Sequence, residues 1–76
     1  MSHRVYRAIV EAVRARRLRE PFSVADFEGA CPGFGAGTYS AFLHKHARGN
    51  PGQTSELFER VSRGRFRCIR PFKYGL

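Results

Sequence analysis

Prolines and glycines divide this 76-residue sequence into short segments. Pro21 and Pro32 each end a helical pattern, because the residue before a proline is biased away from helical backbone angles. Gly49, followed closely by Pro51, predicts a third stop, and Gly64 marks a turn. The chain must therefore be built from short elements, which favours one small domain over residues 1–76.

The first segment, over about residues 3–17, has the apolar spacing and the alanines of a helix, with Ser2 as a candidate N-cap. Four arginines crowd its C-terminal end: Arg14, Arg16, Arg17 and Arg19. Cations are favoured there by the helix dipole. We interpret the cluster as solvated capping charge, and contact with phosphate is the alternative.

The second helix has a start signal of its own. Ser23 and Asp26 stand at the N-cap and N3 positions of a variant capping box, and Phe22 and Phe27 fit a hydrophobic staple around it. The helix is expected to end before Pro32. Phe22 is also a candidate for a strand of one or two residues.

A glycine-rich connection over residues 33–37 leads to a third helix, predicted over residues 38–48 with Thr38 as its N-cap. The spacing of these glycines is not that of a nucleotide-binding loop. One helix face is formed by Tyr39, Phe42, Leu43 and His46. The other is polar, basic and small, with Ala41 among its members, and its candidate contact residues are Ser40, His44, Lys45 and Arg48. Such a face suits a helix laid into a groove, and equally a solvated surface.

Two β-prone runs around Gly64 predict a hairpin. Its register has two alternatives. A two-residue turn pairs Val61 with Phe66, whereas a three-residue turn with a left-handed Gly64 pairs Glu59 with Arg67.

Residues 70–76 form a basic, aromatic tail that is expected to be extended, with packing over the first helix as the alternative for Phe72 and Tyr74. The order of elements is helix, short strand near Phe22, helix, helix, hairpin. It predicts an α+β, mainly α, winged helix-turn-helix in which the hairpin is the wing.

Arginine dominates the charge of the chain. Fourteen Lys and Arg face six Asp and Glu, which gives a formal net charge of +8, and only Lys45 and Lys73 are lysines. Arginine forks suit phosphate, so the imbalance indicates a polyanionic partner. The candidate phosphate contacts of the wing and tail are Arg60, Arg63, Arg65, Arg67, Arg70 and Lys73. Protection of strand edges is the alternative role, but one or two charges would suffice for it.

The hairpin carries the most specific motif, Phe-Glu-Arg-Val-Ser-Arg-Gly-Arg-Phe-Arg-Cys-Ile over residues 58–69. It resembles the Phe-x-Arg-Val-Gly-Arg-Gly segment of the HARE-type winged helix-turn-helix, a module also seen in the N-terminal domain of the bacterial RNA polymerase delta subunit. Thr38, Ala41 and Leu43 fit the same pattern, whereas Ser62 replaces its usual glycine and Cys68 its late aliphatic residue. The resemblance implies DNA binding or docking within nucleic-acid machinery, without an agreed set of base-reading residues.

Catalysis and cofactors are disfavoured. His44 and His46 point nearly opposite ways on a helix, and Cys31 and Cys68 lack partners at metal-ligand spacing, so no metal or other cofactor is expected. No sequence context activates a nucleophile, and few carboxylates are present, so we expect no enzyme.

The sequence also bears on localisation. No apolar run is long enough to cross a membrane, and the charged N-terminus argues against a secretion signal. Two cysteines indicate reduced thiols rather than a disulfide framework, so the expected location is the cytoplasm, on the nucleoid in a bacterium.

The sequence therefore predicts a small basic DNA-binding protein, an accessory factor in transcription or nucleic-acid processing. The third helix would enter the major groove of duplex DNA, and the wing, with the tail as a further candidate, would contact phosphates or the minor groove. RNA binding is a variant of this hypothesis. The alternative is a protein-docking winged helix that binds an acidic partner in a nucleic-acid machine. Neither a membrane nor a small-molecule ligand is expected as a partner.

Overall fold

The computed structural model describes residues 4–49 and 55–76, and in these residues three helices are followed by a two-stranded antiparallel hairpin. The elements are α1 (Arg4–Arg14), α2 (Val24–Ala30), α3 (Ala36–Lys45), β1 (Phe58–Ser62) and β2 (Arg65–Cys68). This is the α+β, mainly α, layout of a winged helix, as the sequence predicted. Ser2, the predicted N-cap of the first helix, lies outside the described residues.

The first helix ends three residues earlier than predicted. Arg16 has a positive φ of 63°, which turns the backbone away from the helical path. The N–H groups of Arg17 and Leu18 then both donate to the Ala12 carbonyl, at 2.9 and 3.1 Å. This reversal brings Leu18 into the core, where its side chain is buried.

The start of α2 confirms the predicted capping box. The Ser23 hydroxyl accepts from the Asp26 N–H at 3.1 Å, and the Asp26 carboxylate accepts from the Ser23 N–H at 3.0 Å. Phe22 and Phe27, on either side of the box, are fully buried. Phe22 also exchanges two backbone hydrogen bonds with Phe66, both 2.8 Å, and so forms the short strand predicted near it.

The third helix begins earlier than predicted, and Thr38 is not its N-cap. Gly35 takes that position, and its carbonyl accepts from the N–H groups of Thr38 and Tyr39 at 3.0 and 3.2 Å. The Tyr39 hydroxyl donates to the Cys31 carbonyl at 2.5 Å and accepts from the Phe34 N–H at 3.1 Å. The buried tyrosine therefore holds the glycine-rich connection and fixes where the helix starts.

The helix also ends at Lys45, so the prediction that it extends to residue 48 and stops at Gly49 was wrong. The cause is pairing with β1. The His46 carbonyl accepts from the N–H groups of Leu57 and Phe58 at 2.8 and 3.1 Å, and Ala47 forms a parallel bridge with Phe58.

The hairpin adopts the register in which Glu59 lies opposite Arg67, one of the two predicted alternatives, but its turn has two residues and not the three expected, because Ser62 pairs with Arg65. Gly64 has a φ of 72°, the left-handed conformation that this alternative required. The ladder is irregular between Arg60 and Ser62, so Val61 bulges outward, and half of it is exposed.

Phe58 lies at the centre of the core. Its ring makes edge contacts with Tyr6 of α1, Phe22 and Phe42 of α3, at centroid distances of 6.1, 6.2 and 5.8 Å. Such contacts stabilise a core beyond the burial of area alone. The hairpin is therefore part of the hydrophobic core shared with the helices.

The tail packs over α1 and is not extended, which corrects the first expectation and confirms the alternative. The Tyr6 hydroxyl accepts from the Lys73 N–H at 2.9 Å, and the Tyr74 ring lies edge-on to Tyr6 at 5.6 Å. Phe72 stacks beneath the Arg14 guanidinium at 4.8 Å. Within residues 4–49 and 55–76, the helices lack the length and the apolar composition of a membrane span.

Candidate nucleic-acid interface

The outer face of α3 presents three of the four predicted contact residues. Ser40, His44 and Lys45 are exposed, with Ala41 exposed between them. The Ser40 hydroxyl donates to the Gly37 carbonyl at 3.1 Å. The small side chains at 40 and 41 leave the helix backbone open to close approach by a ligand.

Arg48 does not belong to this helical face, because α3 ends before it. Its N–H donates to the Phe58 carbonyl at 2.8 Å, which ties it to β1. The exposed guanidinium lies 3.7 Å from the Glu59 carboxylate. Arg48 therefore lies at the strand side of the interface, partly neutralised.

The His44 ring lies edge-on to Phe66 of β2, with ring centroids 5.2 Å apart. Phe66 is fully buried, whereas His44 is exposed. The C-terminal half of α3 therefore adjoins the second strand of the hairpin, and the helix face and the wing lie side by side.

The wing arginines fall into two groups. Arg60 and Arg63 are exposed and have no carboxylate partner within the described residues. Arg65 lies 3.4 Å from the Asp26 carboxylate, and the Arg67 Nε donates to the Glu59 carboxylate at 2.7 Å. Part of the wing charge that the sequence assigned to phosphate is therefore directed at the protein's own carboxylates.

Arg70, also predicted to contact phosphate, is tied to Glu20. Its guanidinium donates twice to that carboxylate, at 2.6 and 3.0 Å, and once to the Cys68 carbonyl at 2.8 Å. The Phe72 ring stacks on it at 4.4 Å. Lys73 is exposed in the same tail, over α1. These two residues therefore lie with the packed tail, apart from the exposed tip of the wing.

Glu20 is the acidic residue that sequence reasoning missed. Burial raises the pKa of its carboxyl, but hydrogen bonds from Arg70 and from the Cys68 N–H at 2.6 Å offset this, so the pKa lies below its ordinary value. The hydrogen bonds that Arg70 donates to the Glu20 carboxylate raise the pKa of Arg70. No local pattern could reveal this pair, since its members are 50 positions apart.

Both thiols are buried, and the His46 imidazole lies at the edge of the core. Burial raises the pKa of the Cys68 thiol to about 12 and also raises that of Cys31, so both remain protonated at neutral pH. His46 is half-buried against Phe42 at 4.6 Å, with Nδ1 2.8 Å from the Ser55 carbonyl. Within residues 4–49 and 55–76, no cluster of His, Cys, Asp and Glu could hold a metal ion.

The fold and this surface together identify the class of domain. It is a basic winged-helix domain whose third helix is exposed beside its wing. No family model matches the chain, and no curated protein or solved structure matches it.

Proposed function

We propose that this protein binds duplex DNA as a non-enzymatic winged-helix factor. The observation that carries the proposal is the contact between His44 and Phe66, which sets the exposed face of α3 beside the wing. A helix of ordinary width fits the major groove, and an adjoining hairpin then reaches the flanking backbone. The resemblance to HARE-type domains supports the same role and is part of this proposal.

The two halves of the surface have different tasks. Arg60 in β1 and Arg63 in the wing tip are exposed and without acidic partners in the described part of the chain, so they suit phosphate. Ser40, His44 and Lys45 lie on a helix whose backbone is open at Ala41, so they suit base edges. Binding to chromosomal DNA would place the protein in the cytoplasm, on the nucleoid in a bacterium.

Binding to a random duplex of about 20 base pairs, measured by fluorescence anisotropy across a salt series, tests the proposal. We expect log affinity to fall against log salt with a slope of about −3 to −5, because each neutralised phosphate contributes about −0.9. Replacing Arg60 and Arg63 together with Gln should reduce the slope by about two.

The matched control is the double variant Arg4→Gln, Arg7→Gln on α1, which removes the same charge and should leave the slope within experimental error. Absence of binding at low salt, or a slope equal in both double variants, would contradict DNA binding through the wing.

Sequence reading is tested separately by random-site selection. Lys45→Ala should flatten any preference of the wild-type protein, because a Lys or Arg contact to guanine discriminates by about 1–3 kcal/mol. The Arg60 and Arg63 variant should keep that preference while binding every sequence more weakly. If the Arg60 and Arg63 variant lost the sequence preference instead, the wing would be the part of the protein that recognises the DNA sequence.

One observation favours the second candidate, a docking domain for an acidic protein of a nucleic-acid machine. Val61 is 51% exposed at the bulge of β1, between Arg60 and Arg63. An apolar side chain beside cations suits a protein surface better than a phosphate backbone. If Val61→Ser weakened capture by an acidic protein while duplex affinity stayed negligible, docking would replace DNA binding.

A further inference from the structure

A cleft of about 590 Å³ opens between the α1–α2 connection and α2, and Arg65 of the hairpin also borders it. One wall is the outer surface of α2, at Ala25, Gly29 and Ala30. Four arginines line it: Arg16, Arg17, Arg19 and Arg65. We name this the loop cleft.

The charge of the loop cleft is unbalanced. Asp26 is the one carboxylate among its lining residues, and it already accepts from the Ser23 N–H and lies 3.4 Å from Arg65. Within the described residues, Arg16, Arg17 and Arg19 form no ion pair. Three exposed guanidinium groups thus share a concave surface, and none of them has an ion-pair partner in the described part of the chain.

The backbone that carries these arginines is held in place. Leu18, between them, is 2% exposed, and its N–H donates to the Ala12 carbonyl at 3.1 Å. The next acidic residue, Glu20, is bound by Arg70 at 2.6 Å. A supported loop loses less conformational entropy when a ligand binds than a free one does.

A second cleft of about 540 Å³ shares Arg16, Leu18 and Arg19 with the first and is also lined by Val13 and the Glu20–Arg70 pair. Arg16 and Arg19 therefore border both concave surfaces. The guanidinium groups of these two residues can therefore contact an anion bound in either cleft.

We propose that the loop cleft is a binding site for closely spaced phosphate groups, held by the guanidinium forks of Arg16, Arg17 and Arg19. Guanidinium donors match phosphate oxygens in pairs, and several forks on one concave surface favour a ligand with more than one phosphate. The phosphates belong either to a free polyphosphate or to the backbone of a nucleic acid. Arg65 borders both the cleft and the hairpin, so a duplex bound at the wing has a continuous path to the cleft.

The test uses inorganic triphosphate and the random duplex as two separate probes. The variant is Arg16→Gln with Arg19→Gln, and the charge-matched control is Arg4→Gln with Arg7→Gln. By titration calorimetry at low salt, the first variant should weaken triphosphate binding about tenfold and the control less than about twofold. Thermal melting of all three proteins verifies that they are equally folded.

The duplex arm identifies the source of the phosphates. A loss of about two from the salt slope in the Arg16 and Arg19 variant alone means that the cleft holds nucleic-acid backbone. An unchanged slope with weakened triphosphate binding means that the ligand is a free polyphosphate, and the cleft proposal stands even where the wild-type protein binds no duplex. Equal affinity of variant and wild type for both probes overturns the proposal and leaves DNA binding by the wing intact.

Discussion

The wing and the α1–α2 connection are both rich in arginine, yet they use it differently. Arg65 and Arg67 of the hairpin lie against carboxylates, and Arg70 just beyond it is bound twice by Glu20. In the connection, Arg16 and Arg19 have no such partner within the described residues. The region with more arginines in the sequence therefore has the larger share of them neutralised.

This difference shows that a count of basic residues measures charge and not availability. A few carboxylates can neutralise several arginines. Glu59 forms ion pairs with both Arg48 and Arg67, and Glu20 forms one with Arg70. An arginine in such a pair must give up one anion to bind another, so its contribution to phosphate affinity is reduced.

The largest expected effect comes from the residue that joins the two regions. Phe66 is fully buried in β2 and pairs with Phe22, which lies near the end of the α1–α2 connection. Phe66→Ala should lower the free energy of unfolding by about 3–5 kcal/mol, because it leaves a cavity where an aromatic ring packs. Urea denaturation measures this. Val61→Ala, on the exposed side of the same hairpin, is the control and should cost less than about 0.5 kcal/mol.

A smaller effect is expected from breaking the Glu20 and Arg70 pair. Glu20→Gln should cost about 1.5–3 kcal/mol at neutral pH, the usual worth of hydrogen bonds to a charged group that is largely buried. The folded-state pKa of Glu20 lies below its unfolded value, so the stabilisation is present above about pH 4.3 and is lost as the pH falls through the folded-state pKa.

Thermal melting between neutral and acidic pH measures this dependence. The wild-type midpoint should fall more steeply on acidification than that of the Glu20→Gln variant. Parallel curves for the two proteins would mean that the pair is formed in the unfolded chain too, or contributes nothing.

The smallest effect on stability, with a gain in binding, is expected at Glu59. This carboxylate pairs with Arg67 in an exposed setting, so Glu59→Gln should change stability by less than about 1 kcal/mol. The change removes the carboxylate partner of Arg67 and Arg48. Duplex affinity at low salt should therefore rise about fivefold, and the slope of log affinity against log salt should become steeper by about one. Anisotropy titration measures both. An unchanged affinity would show that neither arginine faces the duplex.

The parts of the fold that sequence could predict are those set by neighbours in the chain. The capping box at Ser23 and Asp26 needs only residues three apart, and the staple around it needs five. The left-handed conformation of Gly64 was also predictable, because a glycine in a tight hairpin turn is a local sequence signal.

The end of α3 could not be predicted in the same way, because it depends on partners far along the chain. His46 and Ala47 leave the helix to pair with Leu57 and Phe58, and no local stop signal lies at Lys45. The ion pairs of the candidate site have the same origin. Only the pair of Glu59 with Arg67 was accessible, since it follows directly from one of the two hairpin registers.

The position of Phe58 has a consequence for how this domain can change. Its ring touches Tyr6, Phe22 and Phe42, so the base of the hairpin cannot be removed without opening the helical part. The tip at residues 62–65 contributes no buried side chain. Loop grafting, or natural insertion, at this tip can therefore alter the reach and charge of the wing while the rest of the molecule stays the same scaffold.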